Sequence, residues 1–246
     1  FNINPDIIIK KINENTEAVL LCNYFGLFTQ LECAKFIKNN FPNVQIILDS
    51  AVDSYFLLDR TFDNNFIDYE FTSLNKFFCL PDGSLLRSKY NLNYDNVENS
   101  QLSFENNLMA SIFMFLSSKI KDFEKIFEQE SISFYETYKK KLNRQTTPKN
   151  ISTLSKTILQ YLNFQEIKKI RKSNYNFLVE NLENNKFFKI IKKKLDKSDV
   201  PLVLPVEFIN IDRNEVRKSL FEQNIFCPVY WPIDNYINLP IGEFAK

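Results

Sequence analysis

Residues 17 to 51 constrain the fold more than any other stretch of this chain. "EAVLLCNYF" (17–25) is short, apolar and unbroken, the pattern of a strand buried on both faces, and Gly26 ends it. "LFTQLECAKFIKNNF" (27–41) then sets Leu27, Leu31, Ala34 and Ile37 at helical spacing before Pro42 and Asn43 close the helix. "VQIILDSA" (44–51) is a second apolar strand, and it ends in the carboxylate of Asp49. Strand, helix and strand with connections this short require parallel strands joined by a crossover helix. "FIDYEFTSL" (66–74) reads as a third strand, and "SLLRSK" (84–89) as a fourth after a Pro-Asp-Gly turn. The expected class is α/β, a three-layer sandwich with a mainly parallel sheet. Ligands of such sheets bind beyond the carboxyl ends of the strands. Asp49 stands at one such end; Ser73 and Lys76 stand at another.

The middle of the chain predicts helix. Phe104, Leu108, Ile112, Leu116, Ile120, Phe123 and Phe127 recur every three or four residues, an apolar stripe assigned to core packing. Pro148 marks a break, a new helix follows, and Asn163 with Glu166 three residues on is the cap of the next one, "IKKIRKSNYNFLVENL". "VPLVLPVEFINI" (200–211) carries two prolines and predicts an edge strand. "RNEVRKSLFEQN" predicts a helix and "IFCPVYWP" a strand. The division is therefore a larger α/β domain at 1–147, with a helical extension, and linking helices plus a smaller α+β domain at 148–246.

Composition removes whole classes of function. A formal charge of +1 over 246 residues argues against a nucleic-acid partner, and the lysine runs at 139–141 and 192–194 read as solvated helix faces. The apolar run "LMASIFMFL" is far short of a membrane span, which needs roughly 20 residues. Cys22, Cys33, Cys79 and Cys227 show no CxxC spacing, and three lie in apolar runs; buried thiols in the reducing cytoplasm are expected rather than disulfides or a metal site. There is no histidine, which excludes Ser-His-Asp and Cys-His chemistry. Lysine is the remaining candidate proton carrier. The chain begins "FNINPDII" and stops after "LPIGEFAK", ends that read as cuts through a longer protein.

"SLNKFFCLPDGSLL" (73–86) places Lys76 at the foot of an apolar run, where it reads as half-buried, three residues after Ser73. On its own the stretch reads as a strand, a turn and a surface lysine, with Asp49 a strand-end cap and Ser73 a turn serine. Together, a lysine and an aspartate without histidine suit pyridoxal-phosphate chemistry. The lysine forms an imine with the cofactor aldehyde and moves a proton; the aspartate keeps the pyridine nitrogen protonated; a serine reaches the phosphate.

Several stretches, in order, resemble the fold-type-I aminotransferases of the DegT/DnrJ/EryC1/StrS group: "AVLLCNYFGL", "IILDSA", "DYEFTSLNKFFCLPDGSLL", "NISTLSKTILQYLNFQEIKKIRKSNYNFLVENL" and "LFEQNIFCPVYWPI". The resemblance covers roughly residues 17–235. It implies Lys76 as the Schiff-base lysine, Asp49 as the partner of the pyridine nitrogen, Ser73 as a phosphate contact and pyridoxal 5'-phosphate as cofactor. It also implies transfer of an amino group from an amino acid, glutamate, to a keto sugar carried on a nucleotide, in surface-polysaccharide or amino-sugar biosynthesis, by a homodimer whose subunits share their sites. Tyr230 and Trp231 are candidates for the substrate entrance or for the core. The family pattern departs at Val52, where Gln or His is usual, and at Asn23, often His; its phosphate-cradling N-terminal turn lies outside this sequence. Two other readings stay open: a non-catalytic relative acting as a binding or assembly partner, and a lyase or dehydratase of the same fold.

Overall fold

The computed structural model describes residues 2–58, 65–92, 97, 103–209 and 211–229. A short helix, α1 (Pro5–Ile9), precedes strand β1 (Ala18–Cys22). Helix α2 (Leu31–Asn40) leads to β2 (Gln45–Asp49), and the short α3 (Ser54–Leu58) precedes β3 (Tyr69–Ser73) and β4 (Ser84–Ser88). The strands form one sheet in the order β1-β2-β3-β4, the first three parallel and β4 antiparallel to β3. The class is the one the alternation of elements predicts: mixed α/β with a mainly parallel sheet.

Burial explains the order. Leu21, Ile46 and Leu48 from one sheet face pack with Cys33, Ala34 and Ile37 of α2 and with Ile67. Ile37, Ile46 and Leu48 are wholly excluded from solvent. At about 25 cal/mol per Å² of apolar area, covering such residues is the main favourable term for this half of the chain. The opposite face is different. The expectation of strands buried on both faces does not hold for β1, where Leu20 is 58 % exposed, and Leu86 of β4 is likewise exposed. A continuous apolar run shows that a strand is apolar, but its neighbours decide whether both faces are covered.

Helices α4 (Ser103–Lys119) and α5 (Glu124–Arg144) form an antiparallel hairpin. The stripe predicted along them is only partly core. Phe113 stacks on Phe134 with ring centroids 5.5 Å apart and lies 5.9 Å from Phe127, whereas Ile112, Ile120 and Phe123 are exposed. A two-helix hairpin has one shared seam, so a stripe wider than that seam is left facing out.

After Pro148 come α6 (Thr153–Tyr161) and α7 (Phe164–Leu182), then β5 (Phe188–Ile190), antiparallel to β6 (Val206–Phe208), and α8 (Arg213–Glu222). The cap read at Asn163 is present: its Oδ1 accepts from the Glu166 amide at 3.0 Å. Asn163→Ala is expected to cost about 1 kcal/mol of stability, measurable as a shift in urea midpoint at unchanged slope. Among the described residues of the strand expected over 200–211, only Val206–Phe208 is extended and paired, because the stretch before it carries Pro201 and Pro205. Residues 225–229 are not a strand; there Phe226 packs edge-on against Phe221, centroids 4.7 Å apart. The rest of the predicted "IFCPVYWP" strand, with Tyr230 and Trp231, lies outside the described residues.

Two further expectations fail. Only Cys33 is buried; Cys22 is half-buried and Cys79 and Cys227 are exposed. Residues 192–194 lie on a loop, not a helix, and Lys192 is half-buried, bonded to Asp199 at 2.7 Å and to the Leu27 carbonyl at 2.9 Å. No helix among the described residues is long and apolar enough to cross a membrane.

Candidate active site

Strand register places two of the three candidate side chains on one sheet face. Asp49 of β2 pairs with Phe71 of β3, and Ser73 lies two residues further along the same strand, hence on the same side. Lys76 follows on the single 3₁₀ turn 74–76 that continues β3. Asp49 and Ser73 therefore lie on the face that α2 does not cover, at the carboxyl ends of parallel strands.

Asp49 is half-buried, with its Oδ1 accepting from the Ala51 amide at 2.8 Å, a turn closed on itself. Its Oδ2 accepts no hydrogen bond from the described residues. Its charge is felt by its neighbours: burial first, then the Asp49 carboxylate, pushes the Cys22 thiol up. The Tyr24 hydroxyl is pushed up by burial, then by Cys22 and Asp49. Ser73 donates its hydroxyl to Oδ1 of Asn75 at 2.6 Å.

Lys76 is exposed, not half-buried as its neighbours in sequence suggest. Apolar residues on both sides do not bury it, because Leu74 at the start of the 3₁₀ turn and Phe77 and Phe78 just beyond it pack in the core, while Asn75 is half-buried and Lys76 faces solvent. Its ammonium makes no ion pair or hydrogen bond among the described residues. The backbone beneath it is firmly seated: Leu74, Phe77, Phe78 and Leu80 pack with Tyr55 and Val200, and Arg171 of α7 donates Nη2 to the Phe77 carbonyl at 2.9 Å while lying over the Phe77 ring. Burial pulls the Arg171 guanidinium below its usual range, an effect the nearby Tyr55 partly opposes.

The Pro-Asp-Gly turn after the lysine has a structural reason. Asp82 accepts from the Ser152 amide at 2.9 Å and hydroxyl at 2.7 Å, and from the Ser155 hydroxyl, at the first turn of α6 where a carboxylate is favoured. Gly83 has φ +123°, and a Cβ there would come within 2.6 Å of Ile151. The glycine lets the turn approach Ile151 closely, while Asp82 ties it to the N-cap of α6.

Sequence reading missed the polar layer on the other side of β3. Asp68, Glu70 and Thr72 alternate onto the α2-facing side and are almost wholly buried. Lys38 pairs with Asp68 at 2.8 Å, Arg87 with Glu70 at 2.5 Å, and the Ser54 and Thr72 hydroxyls meet at 2.9 Å. The legible signal was the period-2 polarity of "DYEFTS": one face of a strand with three polar groups needs partners, and Arg87 stands directly across from Glu70. Val52, at the position where the resembling family carries Gln or His, instead packs into the apolar cluster of Phe25, Leu27, Tyr175, Val179 and Ile190.

Asp68 makes a pH prediction. Burial alone would raise its carboxyl, but hydrogen bonds from Lys38, the Ile46 amide and Tyr90, with the Lys38 charge, more than offset that and hold it below the ordinary carboxylate range. A depressed folded-state value contributes stability that is present above the unfolded-state value of about 4 and is lost as pH falls through the folded one. The urea midpoint of the wild type should therefore fall more steeply than that of Asp68→Asn as the pH drops below about 4. Parallel curves for the two proteins would remove the pair from the account of acid stability.

Comparison with known proteins adds little. No family model matches the chain, and neither does any curated protein. Among solved structures a phosphoserine aminotransferase, SerC, from Cytophaga hutchinsonii is similar to it at 13 % identity and a TM-score of 0.41, over 87 % of this chain and 55 % of that one. The chain thus spans about half the length of that protein. At that score the likeness is too distant to carry a residue correspondence.

Proposed function

We propose that the chain carries the lysine, the aspartate and the serine of a pyridoxal-phosphate-dependent aminotransferase, an enzyme of amino-group transfer. The observation that carries this reading is a carboxylate with one oxygen uncommitted at the end of β2, beside a parallel strand, β3, whose following turn carries a lysine with no counter-ion among the described residues. A lysine and a carboxylate are the group types that the cofactor's aldehyde and ring nitrogen call for. Ser73 would reach a phosphate only after releasing Asn75.

When bound, pyridoxal phosphate supplies an aldehyde and an electron-accepting ring. The chain's own groups divide the rest. Lys76 would hold the cofactor through its aldehyde and carry a proton at Nζ; Asp49 Oδ2 would keep the ring nitrogen protonated; Ser73 Oγ would donate to the phosphate. The packing of Leu74, Phe77 and Phe78 fixes where the lysine backbone sits.

The amino donor in this reading is an amino acid, glutamate, and the acceptor a keto sugar on a nucleotide, in surface-polysaccharide or amino-sugar biosynthesis; both come from the ordered sequence resemblance. From the same source comes a homodimer with shared sites, while the cytoplasmic setting comes from cysteines with no disulfide spacing. A second reading, a non-catalytic relative, is favoured by the engaged hydroxyl of Ser73 and by Val52 lying in the core.

Titration of the purified chain with pyridoxal phosphate, borohydride reduction and peptide mapping separates the two. Label on Lys76 is the expected result. Label spread over several exposed lysines, or none, rejects the enzyme reading for this chain.

A further inference from the structure

Ser50, the residue after Asp49, has every polar group committed. Its amide donates to the Phe71 carbonyl at 2.8 Å, and its carbonyl accepts from the Thr72 hydroxyl at 2.7 Å and the Asp53 amide at 2.8 Å. Its hydroxyl accepts from Asn23 Nδ2 at 3.0 Å and donates to Glu70 Oε1 at 3.0 Å. Asn23 closes the loop: its amide donates to the Asp49 carbonyl at 2.9 Å, and its Oδ1 accepts from the Gln30 amide at 2.8 Å. Glu70 is held at its other oxygen by Arg87. Asn23, Ser50 and Glu70 are all essentially excluded from solvent.

This arrangement is costly if it serves packing alone. A carboxylate buried in a strand loses its hydration, and an apolar residue of similar volume is often as stabilising as a buried ion pair. What the chain of bonds does is lock the backbone on both sides of one carboxylate. Asn23 holds the carbonyl of Asp49, and Ser50 holds the peptide that follows, from which the Ala51 amide reaches back to Asp49 Oδ1. The Asp49 carboxylate itself is held by one part-buried bond, from the Ala51 amide, whereas moving the turn that offers this amide would break the buried bonds of Ser50 and Asn23.

We infer that the buried chain Arg87–Glu70–Ser50–Asn23 is a positioning device for the Asp49 carboxylate, keeping Oδ1 in its own turn and Oδ2 turned to a ligand on the open sheet face. The function of that oxygen rests on the reading proposed above; its orientation does not. Arg87 neutralises Glu70, Glu70 orients the Ser50 hydroxyl, and Ser50 and Asn23 hold the strand end.

The test uses Ser50→Ala, Glu70→Leu and the conservative Glu70→Gln, which keeps an acceptor for Ser50. Two readouts need no cofactor: the carboxyl-carbon chemical shift of Asp49 in carbon-13-labelled protein and the exchange rate of the Ala51 amide. Ser50→Ala and Glu70→Leu should move the Asp49 resonance and speed Ala51 exchange roughly tenfold, while Glu70→Gln stays near wild type. Pyridoxal-phosphate affinity should weaken by roughly ten- to a hundredfold in the same two variants and recover in Glu70→Gln. If Ser50→Ala melts earlier but leaves both Asp49 signals in place, the network is merely structural and the inference falls. If those signals respond but the wild type takes no pyridoxal phosphate on Lys76, the positioning stands and the enzyme reading falls. Should Glu70→Leu fail to fold, Ser50→Ala alone decides, since it removes one hydroxyl and no charge.

Discussion

Lys76→Ala is expected to abolish borohydride-trapped pyridoxal phosphate on the 73–86 segment and to reduce amino transfer by at least about a thousandfold, the scale on which a positioned proton carrier acts. The folded state should be untouched, because Lys76 is exposed and the packing below it belongs to Leu74, Phe77 and Phe78. Surface substitutions of this kind usually move stability by no more than about 0.5 kcal/mol. That separation gives the experiment its force. A variant with wild-type melting and no trapping points to chemistry, and one that still traps cofactor at the original rate moves the reactive lysine elsewhere.

Gly26→Ala should have the largest effect on stability. Gly26 sits at φ +68° immediately after Phe25 at φ +61°, so the chain turns through two left-handed residues at the end of β1. The turn is also a contact surface. The Val200 amide donates to the Gly26 carbonyl at 3.0 Å and the Leu202 amide to that of Phe25 at 2.8 Å. A Cβ on residue 26 would come within 2.0 Å of the Val200 carbonyl oxygen, which is backbone and cannot swing away. Strain at φ adds on the order of 1 kcal/mol, and displacement of the 199–202 segment more, so a loss of about 3 kcal/mol or above is expected in urea unfolding. Gly83→Ala should cost less, since the atom it meets is the end of the Ile151 side chain. A Gly26→Ala protein as stable as wild type would mean that residues 199–202 are not docked on this turn.

The two predictions also mark where sequence reading succeeds. Gly26 could be seen to end a strand, but not that a carbonyl 174 positions away would lie where its side chain would be. The alternation of apolar runs and helical spacing over 17–51 was enough to place β1, α2 and β2 and to order them as parallel neighbours. The Asn163 cap and the break at Pro148 were equally visible, because caps and proline act within a few residues of themselves. Helix α2 starts at Leu31 rather than 27, since Leu27 and Phe28 bond back to Tyr24 across the left-handed turn at 25–26.

What depends on distant neighbours was not legible. The exposure of Lys76 comes from a 3₁₀ turn whose other residues pack on Tyr55 and α7. The burial of Glu70 comes from Arg87 and Ser50 facing it on adjacent strands. Val52 lies in the core because α7 and the 188–206 hairpin close over it. By itself the sequence determined the α/β class, the strand ends that carry Asp49, Ser73 and Lys76, and the caps, for each follows from period, turn chemistry or charge within one local segment. Only the tertiary structure decided which sheet face stayed open, which carboxylates were paired in the interior and which oxygen of Asp49 was left uncommitted, because burial and hydrogen-bond partners belong to pairs of segments that the chain brings together only on folding.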